Sequence, residues 1–190
     1  MPIPSGSVLP LLDELKTHVN ITSDTHDDEL QDLLDAAVGV VEGYVGPLDS
    51  RTVVETHRTL NTASPLVLRQ APAIDVTSVT AGDGTLYALT DYDLDTEAGL
   101  LHLAYEGSYG RWYGQATVTY SAGRTDLPAA IRTAILIVAS RLWETQRGNA
   151  PSALPISDNE GFNADPAGLP LLPPRARELL RPYLLGPSVA

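Results

Sequence analysis

Asp91-Tyr92-Asp93-Leu94-Asp95 sets three carboxylates at alternate positions, the opening spacing of an EF-hand loop whose acids surround calcium with oxygen. The pattern then breaks. Thr96 stands where that loop requires glycine, and His102 where its bidentate glutamate belongs. Alternation along the solvent face of a strand accounts for the same acids. A metal-dependent hydrolase built on Asp91, Asp93, Asp95 and His102 is therefore the weakest of three functional readings. Gly82-Asp83-Gly84 lacks the third glycine and the following helix of a dinucleotide loop. In Gly107-Ser108-Tyr109-Gly110, Glu106 occupies the first glycine position of a nucleophile elbow. Both segments read as turns. His18, His26, His57 and His102 occur singly, with no metal-binding spacing and only the neighbours His26 and Asp27 side by side. The absence of cysteine excludes a disulfide framework, a thiolate zinc site and a thiol nucleophile. No catalytic residue, metal or cofactor is expected.

Two further groups invite binding rather than catalysis. Tyr109, Trp112 and Tyr113 crowd the segment Gly107–Gly114, where exposed rings could grip a small ligand or glycan, or touch a neighbouring subunit. Asp27, Asp28 and Glu29 begin a long helical pattern, where the positive helix end favours acids. Charge is uneven along the whole chain. The formal net charge is −12, and the first 50 residues hold ten acids against Lys16 alone, whereas residues 175–190 carry Arg175, Arg177 and Arg181 with Glu178. So acidic a body repels nucleic-acid phosphate, so any contact with DNA should be non-adhesive.

The elements that must hold these groups follow from periodicity. The 190 residues suit one domain with an appendage, and 43% hydrophobic content supplies a core. Leu9, Leu12, Leu15 and Val19 mark a short first helix capped by Ser5 or Ser7. Thr25 and Asp28 resemble a capping box before a second helix, whose stripe is Leu30, Leu33, Leu34, Ala37, Val38, Val41, Tyr44 and Val45, stopped by Gly46-Pro47. From residue 51 to 123 the period becomes two and β-branched residues dominate. A hairpin is expected around Gly82-Asp83-Gly84, and Leu101 and Leu103 should face a last strand, Ala116 to Tyr120. Asp126 should cap a third helix with Pro128 in its first turn and Ile131, Ile135, Val138 and Leu142 inward, packed on the second.

Residues 148–174 hold six prolines and three glycines, the composition of an arm. A short basic amphipathic helix from Arg175 to Leu185 ends it, with Leu179, Leu180, Tyr183 and Leu184 needing cover. Ordering the arm costs roughly 1–2 kcal/mol per residue, while each buried apolar side chain returns only about 1.5–3 kcal/mol. The arm is therefore expected either to stay flexible or, with its terminal helix, to take shape on another molecule. The longest apolar run, Ala134–Ala139, is far short of a membrane span, and Met1-Pro2-Ile3-Pro4 has no secretory pattern. An intracellularly made protein without a membrane role is expected.

The fold class is thus α+β: a small helical bundle from residues 7–46 and 127–147, a β insert at 51–123 between the second and third helices, and a C-terminal arm at 148–190. Within that order stand Asp27-Asp28-x-Leu30-x-x-Leu33-Leu34-x-Ala36-Ala37, Val41-x-x-Tyr44, Leu66-x-Leu68-x-x-Ala71-Pro72, Val118-Thr119-Tyr120-x-x-Gly123, and Leu127-Pro128-x-x-Ile131-x-x-Ala134-Ile135. Leu142-Trp143-Glu144-x-x-Arg147 and Leu172-Pro173-x-x-Ala176-x-x-Leu179-Leu180-x-Pro182-Tyr183 close it. Together they resemble the head–tail connector, or adaptor, proteins of long-tailed bacteriophages and gene transfer agents. The resemblance implies a non-enzymatic virion protein, made in the host cytoplasm and placed at the head–tail interface. It would form a twelve-fold ring of neighbouring copies beneath the portal protein, meet a downstream neck or tail-completion protein, and extend the channel through which packaged DNA passes. By position, Arg175, Arg177, Leu179, Leu180, Arg181 and Tyr183 become candidates for portal contact. Tyr109, Trp112 and Tyr113 become candidates for contact with a neighbour or the tail, and Asp27, Asp28 and Glu29 for the acidic channel surface. The alternative is a β-module binding a small ligand or glycan through its aromatic loop.

Overall fold

A computed structural model describes residue 10 and residues 12–62, 64–105, 108–147 and 172–184. The arm at 148–171 and the Ser5, Ser7 and Leu9 positions lie outside the described residues. The chain divides into two compact units, one comprising residues 1–45 and 127–184, the other chiefly residues 46–126.

The first unit is helical. Helix α1 is Leu12–His18, α2 is Asp27–Val45, α3 is Ala129–Gln146 and α4 is Pro174–Leu180, followed by a 3-10 turn at Arg181–Tyr183. In α2 the buried positions Leu30, Leu34, Ala37, Val41, Tyr44 and Val45 recur at steps of three and four, so one stripe meets α3. Helix α3 answers with Ile131, Ala134, Ile135, Val138 and Ala139. Its two alanines let neighbouring backbones approach. It starts one step after Pro128, whose carbonyl accepts from the Ile131 and Arg132 N–H groups, so Pro128 rather than Asp126 is the cap residue. At the start of α2 the Thr25 hydroxyl pairs with that of Ser23 at 2.7 Å, and the Thr25 N–H donates to Ser23 Oγ.

Helix α4 also packs on α3, and this corrects the expectation that the terminal helix needs another molecule for cover. Ala176 and Leu180 are buried one turn apart on α4, and Leu172, just before the helix, is buried as well. Leu172 and Ala176 add buried apolar surface to that of Leu180. Docking the helix is a separate matter from ordering the chain before it, because the entropy of closing a loop grows only as the logarithm of its length.

The second unit is β-rich. Strands β1 (Arg51–Thr62), β7 (Trp112–Ala122) and β3 (Ala73–Ala81) form an antiparallel sheet in the order β1-β7-β3. Strands β2 (Leu66–Val67), β5 (Leu100–Tyr105) and β4 (Tyr92–Asp95) form another, with β6 (Ser108–Tyr109) also pairing β5. The last strand is longer than the sequence suggested, and it pairs with β1 and β3 rather than with Leu101 and Leu103 of β5. Leu101 nevertheless shares the core with Val76, Val79, Val118 and Tyr120, so both sheets bury their apolar faces together. The expected hairpin is present in short form, bridged at Thr80 and Leu86 around Gly84.

Candidate assembly surfaces

The start of α2 is tied into its own unit. Lys16 Nζ lies 2.6 Å from Asp24 Oδ1 and 2.8 Å from Asp27 Oδ1. Hydrogen bonds to Asp24 and then Asp27 hold the Lys16 ammonium above its ordinary value, and the Lys16 hydrogen bond lowers Asp24. Glu29 meets His26 Nδ1 at 3.3 Å and Arg147 at 3.4 Å. Trp143 stands between the same two residues: His26 meets it edge-on at 5.5 Å, and the Arg147 guanidinium lies over its ring at 4.1 Å. A cavity of about 580 Å³ opens here, lined by His18, Asn20, His26, Trp143 and Arg147 among others. Of the three acids expected on a channel wall, Asp27 and Glu29 are thus engaged inside the subunit, and Asp28 alone is fully outward.

The terminal candidates separate in the same way. Leu180 is wholly buried, and Leu179 and Tyr183 are half-buried. Arg175, Arg177 and Arg181 are exposed and form no ion pair among the described residues. Leu180 therefore belongs to the fold of the helical unit, and the arginines remain as outward groups.

The aromatic segment is not one exposed loop. Trp112 opens β7 on the same parity as Ala116, Val118, Tyr120 and Ala122, so it faces the core, is 1% exposed, and meets the edge of Tyr87 at 5.6 Å between ring centres. This removes Trp112 from any contact with a ligand, a neighbour or the tail. Tyr113, one position on, is 63% exposed. Tyr109 lies in β6, and its side chain is outside the described residues.

The alternating acids serve turns. Asp91 Oδ2 accepts from the Ala88 N–H at 2.8 Å, and Asp95 Oδ1 accepts from the N–H groups of Glu97 and Ala98. Asp83 likewise accepts from the Thr85 N–H, a bond that holds its carboxyl below the usual range. Asp93 projects from β4 opposite His102 in register, and among the described residues no three acids or histidines gather as metal ligands.

Glu55 is the residue the sequence reading missed. It sits on the inward parity of β1 with Val53 and His57, and its side chain is 4% exposed. Its Oε1 accepts from the Arg69 N–H at 3.1 Å and lies 3.3 Å from His57 Nε2, while Arg69 Nε stands 3.7 Å from Oε2. Beside it the Tyr120 hydroxyl accepts from the Gln70 N–H. Burial first, and then the negative charge of Glu55, push Tyr120 up to about 12. These groups anchor the connection between β2 and β3. Their signal lay in parity, since Val53, Glu55 and His57 alternate with Val54 and Thr56.

This fold has whole-length counterparts among solved structures. The chain is similar to one in the neck of an empty GTA particle computed with C6 symmetry, at 17% identity over 100% of this chain and 97% of the other, with a TM-score of 0.65. A chain in the neck of a native GTA particle computed with C12 symmetry shares 19% identity over 94% and 90%, with a TM-score of 0.62. A third, in the virion of a native gene transfer agent particle, shares 19% identity over 100% and 95%, with a TM-score of 0.63. No curated protein matches. The head completion protein family matches residues 10–183, from two residues before α1 to the turn after α4. With that span covered, the chain belongs to the head completion protein family.

Proposed function

We propose that this chain is a structural neck protein of a phage-like particle. Copies assemble as a twelve-fold ring beneath the portal, join the DNA-filled head to the tail-side neck protein, and extend the DNA channel. The observation that carries the reading is the family match across residues 10–183, supported by the likeness of both units to chains in particle necks. The role is mechanical, and the outward acids suit a passage through which DNA slides without adhering.

The glycan-binding alternative loses its anchor with Trp112 buried. Tyr113 remains available for a neighbour or the tail. The test is to mix the full-length chain with portal assemblies and image the product. A ring of this protein coaxial with the portal is the expected result; no association under any salt condition would overturn the reading. The full-length chain is used because a deletion of residues 148–190 would also strip buried Ala176 and Leu180 of α4 from α3.

A further inference from the structure

On α2, the positions facing away from the buried stripe are Asp28, Asp32, Ala36, Gly39 and Gly43, all exposed. The acids stand one helical turn apart, about 6 Å along the axis. Neither is paired among the described residues. The remaining positions are small, and a side chain added at Gly39 would meet nothing within 4 Å. This face is charged at one end and low enough along the rest for another helix to come close.

On α4, Arg177 and Arg181 repeat the same spacing with the opposite sign. The Arg181 N–H donates to the Arg177 carbonyl, so the pair keeps helical geometry across the join to the 3-10 turn. Both are exposed and form no ion pair among the described residues. Like charges four residues apart disfavour each helix alone. Dipole effects explain only part of the placement: Asp28 lies in the first turn of α2, but Asp32 lies beyond it. One subunit therefore carries two oppositely charged surfaces of equal spacing, unpaired among the described residues, on two helices that both pack on α3.

We propose that successive copies join head to tail, with the Arg177 and Arg181 flank of α4 on one copy lying against the Asp28 and Asp32 end of α2 on the next. The interface uses different surfaces on the two partners, the kind of contact that closes into a ring. It rests on the ring reading above and assigns these arginines to the neighbouring copy rather than to the portal. Arg175 is separated from Arg177 by about 200° around the helix and stays outside the contact.

The test uses two full-length variants assembled with portal. R177E/R181E makes both surfaces acidic, and D28R/D32R makes both basic. Each alone is expected to lose the ring. An equal mixture is expected to regain it, because alternating variants restore opposite charges at every interface of an even-numbered ring. Arg175→Glu, on the other flank, is expected to assemble normally. Since the chain has no cysteine, a D28C/R181C variant gives a second reading, with oxidation expected to link copies into a ladder of multimers. A wild-type ring whose assembly survives both charge reversals, or whose D28C/R181C form yields no linked copies, overturns this interface and leaves the neck function standing. Loss of portal binding in R177E/R181E without rescue by the mixture also overturns it and points to the portal. If wild-type protein forms no ring on portal, the function reading itself fails.

Discussion

The Gln70 backbone N–H donates to the Tyr120 hydroxyl at 3.1 Å, across fifty residues of sequence, and so fixes the link between β2 and β3 to the central strand β7. Removing that oxygen leaves a backbone donor without its partner beneath the sheet. Tyr120→Phe is expected to cost about 1–3 kcal/mol, the range for a buried group left unsatisfied. Urea unfolding measures it, and an unchanged midpoint would show that the bond contributes nothing.

Alkaline stability follows from the same hydroxyl. Burial and the Glu55 charge raise Tyr120 from 10.0 to about 12 in the folded state. Its contribution is complete below pH 10 and is lost as pH climbs from 10 through about 12, because the unfolded chain releases the proton first. The difference in stability between wild type and Tyr120→Phe should therefore narrow across that window. Parallel urea titrations from pH 8 to pH 12 check it; a constant difference would refute it.

Trp112 and Tyr113 are adjacent in sequence and opposite in environment. Trp112→Ala is expected to destabilise by about 3–5 kcal/mol, and Tyr113→Ala to stay within about 0.5 kcal/mol of wild type. Since the chain has two tryptophans, a Trp143→Phe variant isolates Trp112 for fluorescence. Its emission should be blue-shifted and resist quenching by iodide. Exposed-type emission would contradict the burial of the ring.

How much was legible in the sequence depended on whether a residue's neighbours in space were also its neighbours in pattern. Helices α2 and α3 could be read because Leu30, Leu34 and Val41, or Ile131, Ile135 and Val138, repeat at helical steps. The interruption at Arg51 was equally plain, since the period changes there. The β pairing was not legible, because β7 lies between β1 and β3, partners distant in the chain that periodicity cannot choose. Trp112 is not legible as a core residue because glycines at both ends of its segment suggest a loop, although its parity matches Val118 and Tyr120. The pairing of Glu29 with Arg147 is hidden for another reason: the two are 118 positions apart, and only packing of α3 beside α2 brings them together.

Leu180→Ala tests the docking of α4 on its own subunit. Truncating a fully buried leucine typically costs about 2.7–5.0 kcal/mol, but here the loss is limited to what holds the terminal helix to α3. Hydrogen exchange should show α4 amides losing protection while the amides of α2 and of the β7 sheet keep theirs. Uniform loss across both units would instead make α4 part of one cooperative core, and unchanged α4 protection would mean that Leu180 does not secure it.

Gly123 and Gly84 both have positive φ, +116° and +88°, but they differ in what surrounds them. At Gly84 an added Cβ meets nothing within 4 Å, so Gly84→Ala carries backbone strain alone, about 1–2 kcal/mol. At Gly123 the Cβ would run into the Asp49 carbonyl, while the Gly123 N–H is already committed to the Pro72 carbonyl at 2.9 Å. Next to it Arg124 Nη1 donates to the Pro47 carbonyl at 3.0 Å, which leaves that backbone little freedom to retreat. Gly123→Ala should therefore destabilise beyond Gly84→Ala, by the collision and the wider positive φ together, and the two urea midpoints measure the difference. Equal losses would mean that the 47–50 turn shifts aside freely and that this close approach does not hold the β unit together.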